Sequence, residues 1–220
     1  MAVLRHGSPV SSLAALPDGR LASGGGDGTI KLWSKEGTGE PVAVLRHGSP
    51  VSSLAALPDG RLASGGDDGT IKFWVKNVKG FADKPEKTLT PGSGVTSLAV
   101  LADGRLASGS EDGTIELWPM AAGEPVVLSQ GSSNNDFEGV QSLAVPADGW
   151  LVSGGADGLV KLWSTKVTGE PVVPVVLSGR GSPGHELSGH GLGSGVSSLA
   201  VLPDGDPLVP ATTAKSSSGL

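Results

Sequence analysis

Short apolar segments with polar positions between them recur along the chain, and each ends at a turn. Val51 to Leu57 ends at a Pro-Asp-Gly turn, Leu62 to Gly65 leads into an Asp-Asp-Gly turn, and Thr70 to Trp74 alternates polar and apolar residues. Proline and glycine supply the backbone angles of tight turns, and alternation with a period of two is typical of half-buried strands. The pattern predicts three antiparallel strands, and Pro41 to Leu45 supplies a fourth, outer strand. No segment shows sustained helical periodicity.

The whole unit repeats along the chain. Residues 2–33 return at 43–74 with two substitutions, and more diverged copies follow. The closing tryptophans of four copies lie 41, 44 and 45 residues apart, at Trp33, Trp74, Trp118 and Trp163. A period of about 40–45 residues with several short strands per repeat predicts an all-β propeller, with one four-stranded sheet, or blade, per repeat.

The repeat boundaries predict the domain organisation. We expect one propeller over residues 1–209, interrupted by a Gly- and Pro-rich insert between blades at 164–195 and followed by a polar tail at 210–220. A single blade cannot bury both of its own faces, so stability must come from stacking neighbouring blades. The expected blade cores are 10–33, 51–74, 95–118, 140–163 and an incomplete 196–209.

The segment LASGGDDGTIKFW and its copies resemble the WD40 repeat family across residues 2–209, apart from the insert. The resemblance implies a WD40-like β-propeller with four complete four-stranded blades and an incomplete fifth. In that family a His, a Ser or Thr, an Asp and the Trp form a buried hydrogen-bonded tetrad in each blade. The matching positions are His6, Ser23, Asp27, Trp33, His47, Ser64, Asp68, Trp74, Ser108, Asp112, Trp118, Ser153, Asp157 and Trp163.

The third and fourth copies depart from the family pattern. Pro91 stands at the histidine position of the third copy, and Asp136 stands there in the fourth. The aspartate that follows the tryptophan in the family is absent throughout, since the next residues are Ser34, Val75, Pro119 and Ser164. These departures predict looser third and fourth blades.

Composition and charge narrow the classes of partner and the chemistry. The formal net charge of the 220-residue chain is −6, so nucleic acid and anionic membranes are not expected as partners. The N-terminus lacks a signal-peptide pattern, and no segment approaches the ~20 apolar residues of a membrane span. The chain has no cysteine, which excludes disulfides and thiol catalysis. The expected location is the cytoplasm.

The candidate sites for chemistry favour a structural interpretation. The His-Ser-Asp sets resemble a hydrolase triad, but they recur once per blade, whereas catalysis needs one asymmetric constellation. The first strand of each blade, which by resemblance lines the central channel, contains no ionisable residue. We therefore expect no catalytic residue, no metal and no cofactor.

Two clusters could suggest a metal site. Asp67 and Glu111 add acidic side chains beside Asp68 and Asp112, but the blades should hold these turns far apart. In the insert lie His185, Glu186 and His190, whose spacing is not that of a zinc-binding helix.

One rim of the predicted disc carries the candidate residues for binding a partner. Each follows the Asp-Gly turn between the first two strands of a blade: Arg20, Arg61, Arg105 and Trp150. Arginine and tryptophan are favoured in protein interfaces, although solvated turn residues inherited by duplication are the alternative. The opposite face carries Arg46, His47 and four turn positions that differ between copies, Gly26, Asp67, Glu111 and Ala156.

The fifth repeat begins normally and then stops after Val209. Codons for a blade ending of the sequence S-G-D-D-G-K-I-K-L-W, read one base out of frame, give P-A-T-T-A-K-S-S-S-G, which is the sequence of residues 210–219. This indicates the loss of one base after the Val209 codon and hence a truncated propeller, with an evolved polar tail as the alternative. The strand Ala2 to Leu4 has the sequence of an outer strand and could complete the fifth blade.

The sequence as a whole predicts a non-catalytic scaffold for protein–protein contact, part of a larger bacterial WD40 signalling or regulatory protein. Two alternatives stay open. The first is an incomplete propeller that functions only as a homo-oligomer formed through its incomplete blade. The second is a propeller-type ligand-binding protein or enzyme.

Overall fold

The computed structural model of the chain describes residues 3–37, 39–77, 80–129, 139–146, 149–165, 175–177 and 196–199. These residues form four antiparallel four-stranded sheets and one short hairpin. The part of the chain described contains no helix long and apolar enough to cross a membrane. The predicted all-β propeller architecture with four complete blades is confirmed.

Blade 1 consists of β1 (Val10–Ala15), β2 (Leu21–Gly25), β3 (Thr29–Trp33) and β4 (Pro41–Arg46), paired in that order. Tight turns join the strands. Glycine is required at position 28 because its φ is +73° and a Cβ there would lie 3.0 Å from a carbonyl oxygen of the following blade.

Blade 2 consists of β5 (Val51–Ala56), β6 (Leu62–Gly66), β7 (Ile71–Trp74) and β10 (Lys87–Leu89). The first three strands of blade 2 and the outer strand of blade 1 lie within two residues of the bounds that the sequence pattern predicts. A two-stranded hairpin separates β7 from β10, and the sequence pattern did not predict it. Its strands are β8 (Lys76–Asn77) and β9 (Gly80–Phe81).

Blade 3 consists of β11 (Val95–Val100), β12 (Leu106–Ser110), β13 (Thr114–Trp118) and β14 (Val126–Ser129). Its strands pair in chain order.

Blade 4 consists of β15 (Val140–Ala144), β16 (Trp150–Gly155), β17 (Val160–Ser164) and β18 (Val175–Leu177). Its outer strand lies within the segment predicted as an insert between blades. Of the expected fifth blade, residues 196–199 are described, and residues 200–220, including the tail, lie outside the described residues.

The first strands of successive blades, β1, β5, β11 and β15, are neighbours. Each carries a bulge directly after its leading valine. The leading valines of blades 2 to 4 pack over a glycine in the second strand of the preceding blade, and a Cβ at Gly24 would lie 2.5 Å from Val51 Cγ1. The same contact joins Gly65 to Val95, Gly109 to Val140 and Gly154 to Val196.

A hydrogen bond between first strands accompanies each valine–glycine contact. The amide of Leu54 donates to Ser12 Oγ at 2.9 Å. The equivalent bonds run from Leu98 to Ser53, from Leu143 to Ser97 and from Leu199 to Ser142, at 2.9–3.0 Å. Residues 196–199 therefore pack on blade 4 as the first strands of blades 2, 3 and 4 pack on their predecessors.

The apolar cores lie between blades. One cluster joins Ile30 and Leu32 of blade 1 to Leu54 and Trp74 of blade 2. Two further clusters join blade 2 to blade 3 and blade 3 to blade 4 in the same way. Each blade thus completes the core of its neighbour, and we expect the blades to fold together.

The valine–glycine contact predicts a large effect from a single methyl group. In Gly65→Ala, the new Cβ would lie 2.4 Å from Val95 Cγ1, and Val95 is buried in the core. We expect a loss of about 1–3 kcal/mol in the free energy of unfolding, measured by urea denaturation. The matched control is Gly26→Ala, because position 26 is exposed and its nearest neighbouring atom is 3.6 Å away. Equal stability losses in the two variants would contradict the packing argument.

Candidate functional site

The predicted tetrad of blade 1 is assembled. Ser23 Oγ lies 2.7 Å from His6 Nδ1 and accepts a hydrogen bond of 2.8 Å from Trp33 Nε1. The side chains of His6, Ser23 and Trp33 are buried, whereas Asp27 lies at the surface with its Oδ1 atom 3.5 Å from His6 Nε2. The tetrad thus links the start of the chain to the second and third strands of the blade.

A threonine that the sequence analysis missed completes this network. Thr29 Oγ1 donates to Asp27 Oδ1 at 2.8 Å and lies 3.1 Å from His6 Nε2. Since the single hydroxyl proton goes to the carboxylate, the threonine oxygen accepts from the histidine. The signal was present in the sequence, because the Asp-Gly-Thr triplet recurs in three of the four copies.

Blade 2 repeats the arrangement. Ser64 Oγ bonds His47 Nδ1 and Trp74 Nε1, both at 2.8 Å, and Thr70 Oγ1 lies 3.2 Å from His47 Nε2. Burial lowers the pKa of His47, and the charge of Lys72 lowers it further. Burial opposes ionisation of Asp68, but hydrogen bonds from Thr70 outweigh it and hold the pKa of Asp68 below its usual range.

The third blade keeps only part of the tetrad. Trp118 Nε1 donates to Ser108 Oγ at 2.8 Å, but Pro91 stands where the histidine would be. In blade 2 a Cβ at Gly66 would lie 2.4 Å from His47 Nε2, so a glycine is required beside the ring. The third repeat lacks the ring, and Ser110 occupies the equivalent position. The tryptophan–serine bond is thus independent of the histidine.

The fourth blade also keeps the tryptophan–serine bond, from Trp163 Nε1 to Ser153 Oγ at 2.8 Å. Asp157 Oδ2 lies 3.2 Å from the buried Lys161 Nζ. Asp136, predicted at the histidine position, lies outside the described residues.

A charge reversal marks the third blade. Lys31, Lys72 and Lys161 occupy one position of the third strand, and Glu116 occupies it in blade 3. Lys31 and Lys72 donate to the carbonyl oxygens of His6 and His47. Glu116 Oε2 is buried, with no hydrogen-bond partner among the described residues. Burial raises the pKa of Glu116, and the nearby Asp112 carboxylate raises it further.

These tetrads are packing elements. Their serine hydroxyls are buried and bonded to indole N–H groups, so they are not presented to a substrate. The described ranges contain no group of three or more side chains placed to hold a metal ion. His185, Glu186 and His190 lie outside the described residues.

The arginines of the predicted partner-binding rim are engaged within the chain. Arg20 pairs with Asp18 at 2.8 Å and lies 5.5 Å from the ring centre of Phe81 in the hairpin β8–β9. Hydrogen bonds from Arg20 and from Lys76 of the same hairpin hold the pKa of Asp18 far below its usual range. This turn of blade 1 is therefore tied to the hairpin that connects β7 and β10 of blade 2.

The next two arginines repeat the contact. Arg61 pairs with Asp59 at 2.7 Å and lies 3.4 Å from the Sδ atom of Met120, which follows β13 of blade 3. Arg105 donates to the carbonyl oxygen of Thr165, which directly follows β17 of blade 4, at 2.6 Å. All three side chains are about four-fifths buried, with exposed fractions of 17, 22 and 19%. The arginines therefore tie each blade to the next one.

The fourth rim residue differs from the arginines. Trp150 is half-buried and lines a cleft of about 410 Å³ between blades 3 and 4. Leu101 and Val145 contribute apolar atoms to this cleft, and Asp103 contributes a half-exposed carboxylate. A second cleft of about 210 Å³ lies at the equivalent place between blades 1 and 2. The structure thus brings Arg105 and Trp150 together at one cleft.

The family model described as "WD domain, G-beta repeat" matches four segments of the chain, residues 1–34, 39–75, 83–119 and 131–164. Each segment ends one residue after the closing tryptophan of a blade. The second segment therefore includes the outer strand of blade 1 and the first three strands of blade 2. A search of curated proteins finds no match to the chain.

The pKa of His47 predicts a pH dependence of stability. Its pKa is lower in the folded chain than in the unfolded chain, so the unfolded state takes up the proton first as pH falls. The contribution of neutral His47 should be present above about pH 6.5 and should be lost as pH falls below that value. Unfolding free energies at pH 7.5 and 5.5 should decline more in the wild type than in His47→Gln. Parallel declines would contradict the burial of a neutral imidazole.

The unpartnered carboxylate of Glu116 predicts a stabilising substitution. Glu116→Lys restores the residue of the other three blades, and its ammonium group can reach Asp112 as Lys72 reaches Asp68 at 3.8 Å. We expect a gain of about 1 kcal/mol in the free energy of unfolding by urea denaturation. Glu124→Lys makes the same charge change at an exposed site of the same blade and serves as the control. An equal gain in both variants would show a net-charge effect only.

Proposed function

Because the chain belongs to the WD40 repeat family, we propose that it is a non-catalytic scaffold that binds a protein partner at the rim carrying Trp150. WD40 repeats generally mediate protein–protein interaction. The partner site in this proposal is the cleft between blades 3 and 4, with Arg105 on one side and Trp150 on the other.

The observation that carries the proposal is the chemistry of this cleft. Its apolar contribution comes from Leu101 and Val145, and the indole of Trp150 supplies an aromatic surface. Partly desolvated tryptophan is among the side chains that contribute most to binding energy in protein interfaces. The Asp103 carboxylate at the edge already pairs with Arg105 at 2.7 Å, so the cleft favours a partner segment with a large apolar anchor residue.

The neighbouring arginines serve a different purpose in this proposal. They hold the blades together, so the rim stays rigid and the cleft is formed before a partner arrives. Pre-formed clefts bind with a smaller loss of conformational entropy. In this view the substitution of tryptophan for arginine in the fourth copy changes a structural tie into a contact surface.

The chain itself offers the variant that tests the proposal. Trp150→Arg gives the fourth copy the residue found at Arg20, Arg61 and Arg105. Peptides selected from a displayed random library on the wild-type chain should bind Trp150→Arg and Trp150→Ala at least about tenfold more weakly, measured by fluorescence anisotropy. Binding should be unchanged in Glu111→Gln, which alters an exposed turn of the opposite face.

Two results decide the matter. Selected peptides that share a large apolar residue, and whose binding is sensitive to Trp150, support the cleft. Selected peptides that bind both Trp150 variants as tightly as the wild type would contradict it.

A further inference from the structure

Blade 1 exposes the face that the other blades bury. Val10 and Leu13 of β1 are 46% and 61% exposed. The equivalent residues of blade 2, Val51 and Leu54, are 1% and 6% exposed. Blades 3 and 4 also bury this pair, to 8% exposure or less. The apolar surface of β1 therefore has the composition of an inter-blade interface, and among the described residues no blade lies in front of it.

The structure shows what such a face binds. The same face of blade 2 seats Val51 on Gly24, and the amide of Leu54 bonds Ser12 Oγ. Residues 2–33 and 43–74 differ at two positions only, and neither is the leading valine or the leucine. The face of blade 1 is thus a copy of a face that already packs on a blade in this structure.

The matching receiving surface lies on blade 4. Gly154 and Ser142 there hold residues 196–199, since Val196 packs on Gly154 and the amide of Leu199 donates to Ser142 Oγ. Residues 196–199 read Val-Ser-Ser-Leu, the sequence of residues 10–13. The two segments are therefore chemically equivalent ligands for the surface of blade 4.

We propose that blade 1 of a second copy of this chain packs on blade 4 in place of residues 196–199. Val10 of the second copy then lies on Gly154, and the amide of its Leu13 donates to Ser142 Oγ. This interface is of the head-to-tail type, which forms a closed ring or an open array. Two copies of the four described blades make a ring of eight, within the range of about four to eight blades that propellers adopt.

An arriving blade can contribute residues of its second strand as well as of its first. At the interface between blades 1 and 2, the arriving blade contributes Leu62 of its second strand and Trp74 of its third, in addition to Val51 and Leu54. Blade 1 carries the half-buried Leu21 at the place of Leu62, whereas Trp33, at the place of Trp74, is already buried within its own chain. In the part of the chain that the structure describes, residues 196–199 belong to no strand.

The association state of the full-length chain tests the proposal. Light scattering coupled to size exclusion should give twice the chain mass of 21.8 kDa for the wild type. Val10→Asp and Leu13→Gln change exposed positions and should give monomers with an unchanged circular dichroism spectrum. The matched control is Val127→Asp, at a 58% exposed valine of an outer strand, and it should stay dimeric.

Mixing variants tests the head-to-tail geometry. Gly154→Val blocks only the receiving surface, because the nearest atoms to its Cβ all belong to Val196. Each variant alone should be monomeric. An equimolar mixture of Val10→Asp and Gly154→Val should form a dimer. The Val10→Asp chain keeps an intact receiving surface on blade 4, and the Gly154→Val chain keeps an intact blade 1, so the two chains can form one interface.

Each other outcome overturns part or all of the proposal. A wild-type monomer at about 100 μM, as expected if the chain covers β1 with its own residues, would overturn it. So would a dimer that persists in both β1 variants or a mixture that does not associate. Species larger than a dimer that become monomers in the β1 variants would support the packing of blade 1 on blade 4 but overturn the closed ring of two copies. Trp150→Arg should not change the mass, which separates this inference from the partner cleft.

Discussion

The rest of the structure depends on the contact between successive first strands. The leading valine of one blade packs on a glycine of the preceding blade. The serine two residues after a leading valine accepts a hydrogen bond from a leucine amide of the following blade. The bond satisfies a buried amide that the strand ladder leaves free, and an unsatisfied amide would cost about 1–3 kcal/mol. Repetition of this contact sets the stacking of the blades, and the stacking creates the cores and clefts between them.

The tetrads form hydrogen bonds within single blades, whereas the contact between first strands joins one blade to the next. Serine and tryptophan are joined in all four blades, and the histidine adds to the network in blades 1 and 2. In blades 1 and 2 the histidine has a glycine beside its ring and a lysine that donates to its carbonyl oxygen, whereas blade 3 has Pro91, Ser110 and Glu116 at these positions. The fourth copy keeps the glycine and the lysine but has an aspartate at the histidine position. Divergence of the third copy thus affected several residues of one network, while the contact between first strands stayed the same.

Much of the fold could be predicted from the sequence, because strands, turns and repeats are local patterns. The Asp-Gly turns and the tryptophan spacing were sufficient for four blades, and the tetrad partners of blades 1 and 2 lie in contact as expected. The role of the rim arginines could not be predicted, since the ties to Phe81, Met120 and Thr165 depend on residues outside the repeated segments. The serine–leucine bonds likewise depend on which residues meet across blades.

Native-state hydrogen exchange of three amides tests the central claim, that the blades are one cooperative unit joined at their first strands. The amides of Leu54, Leu98 and Leu143 should exchange slowly, with one common opening free energy equal to that of global unfolding. Independent opening free energies at the three sites, well below the global value, would contradict the account and show that the blades open one at a time.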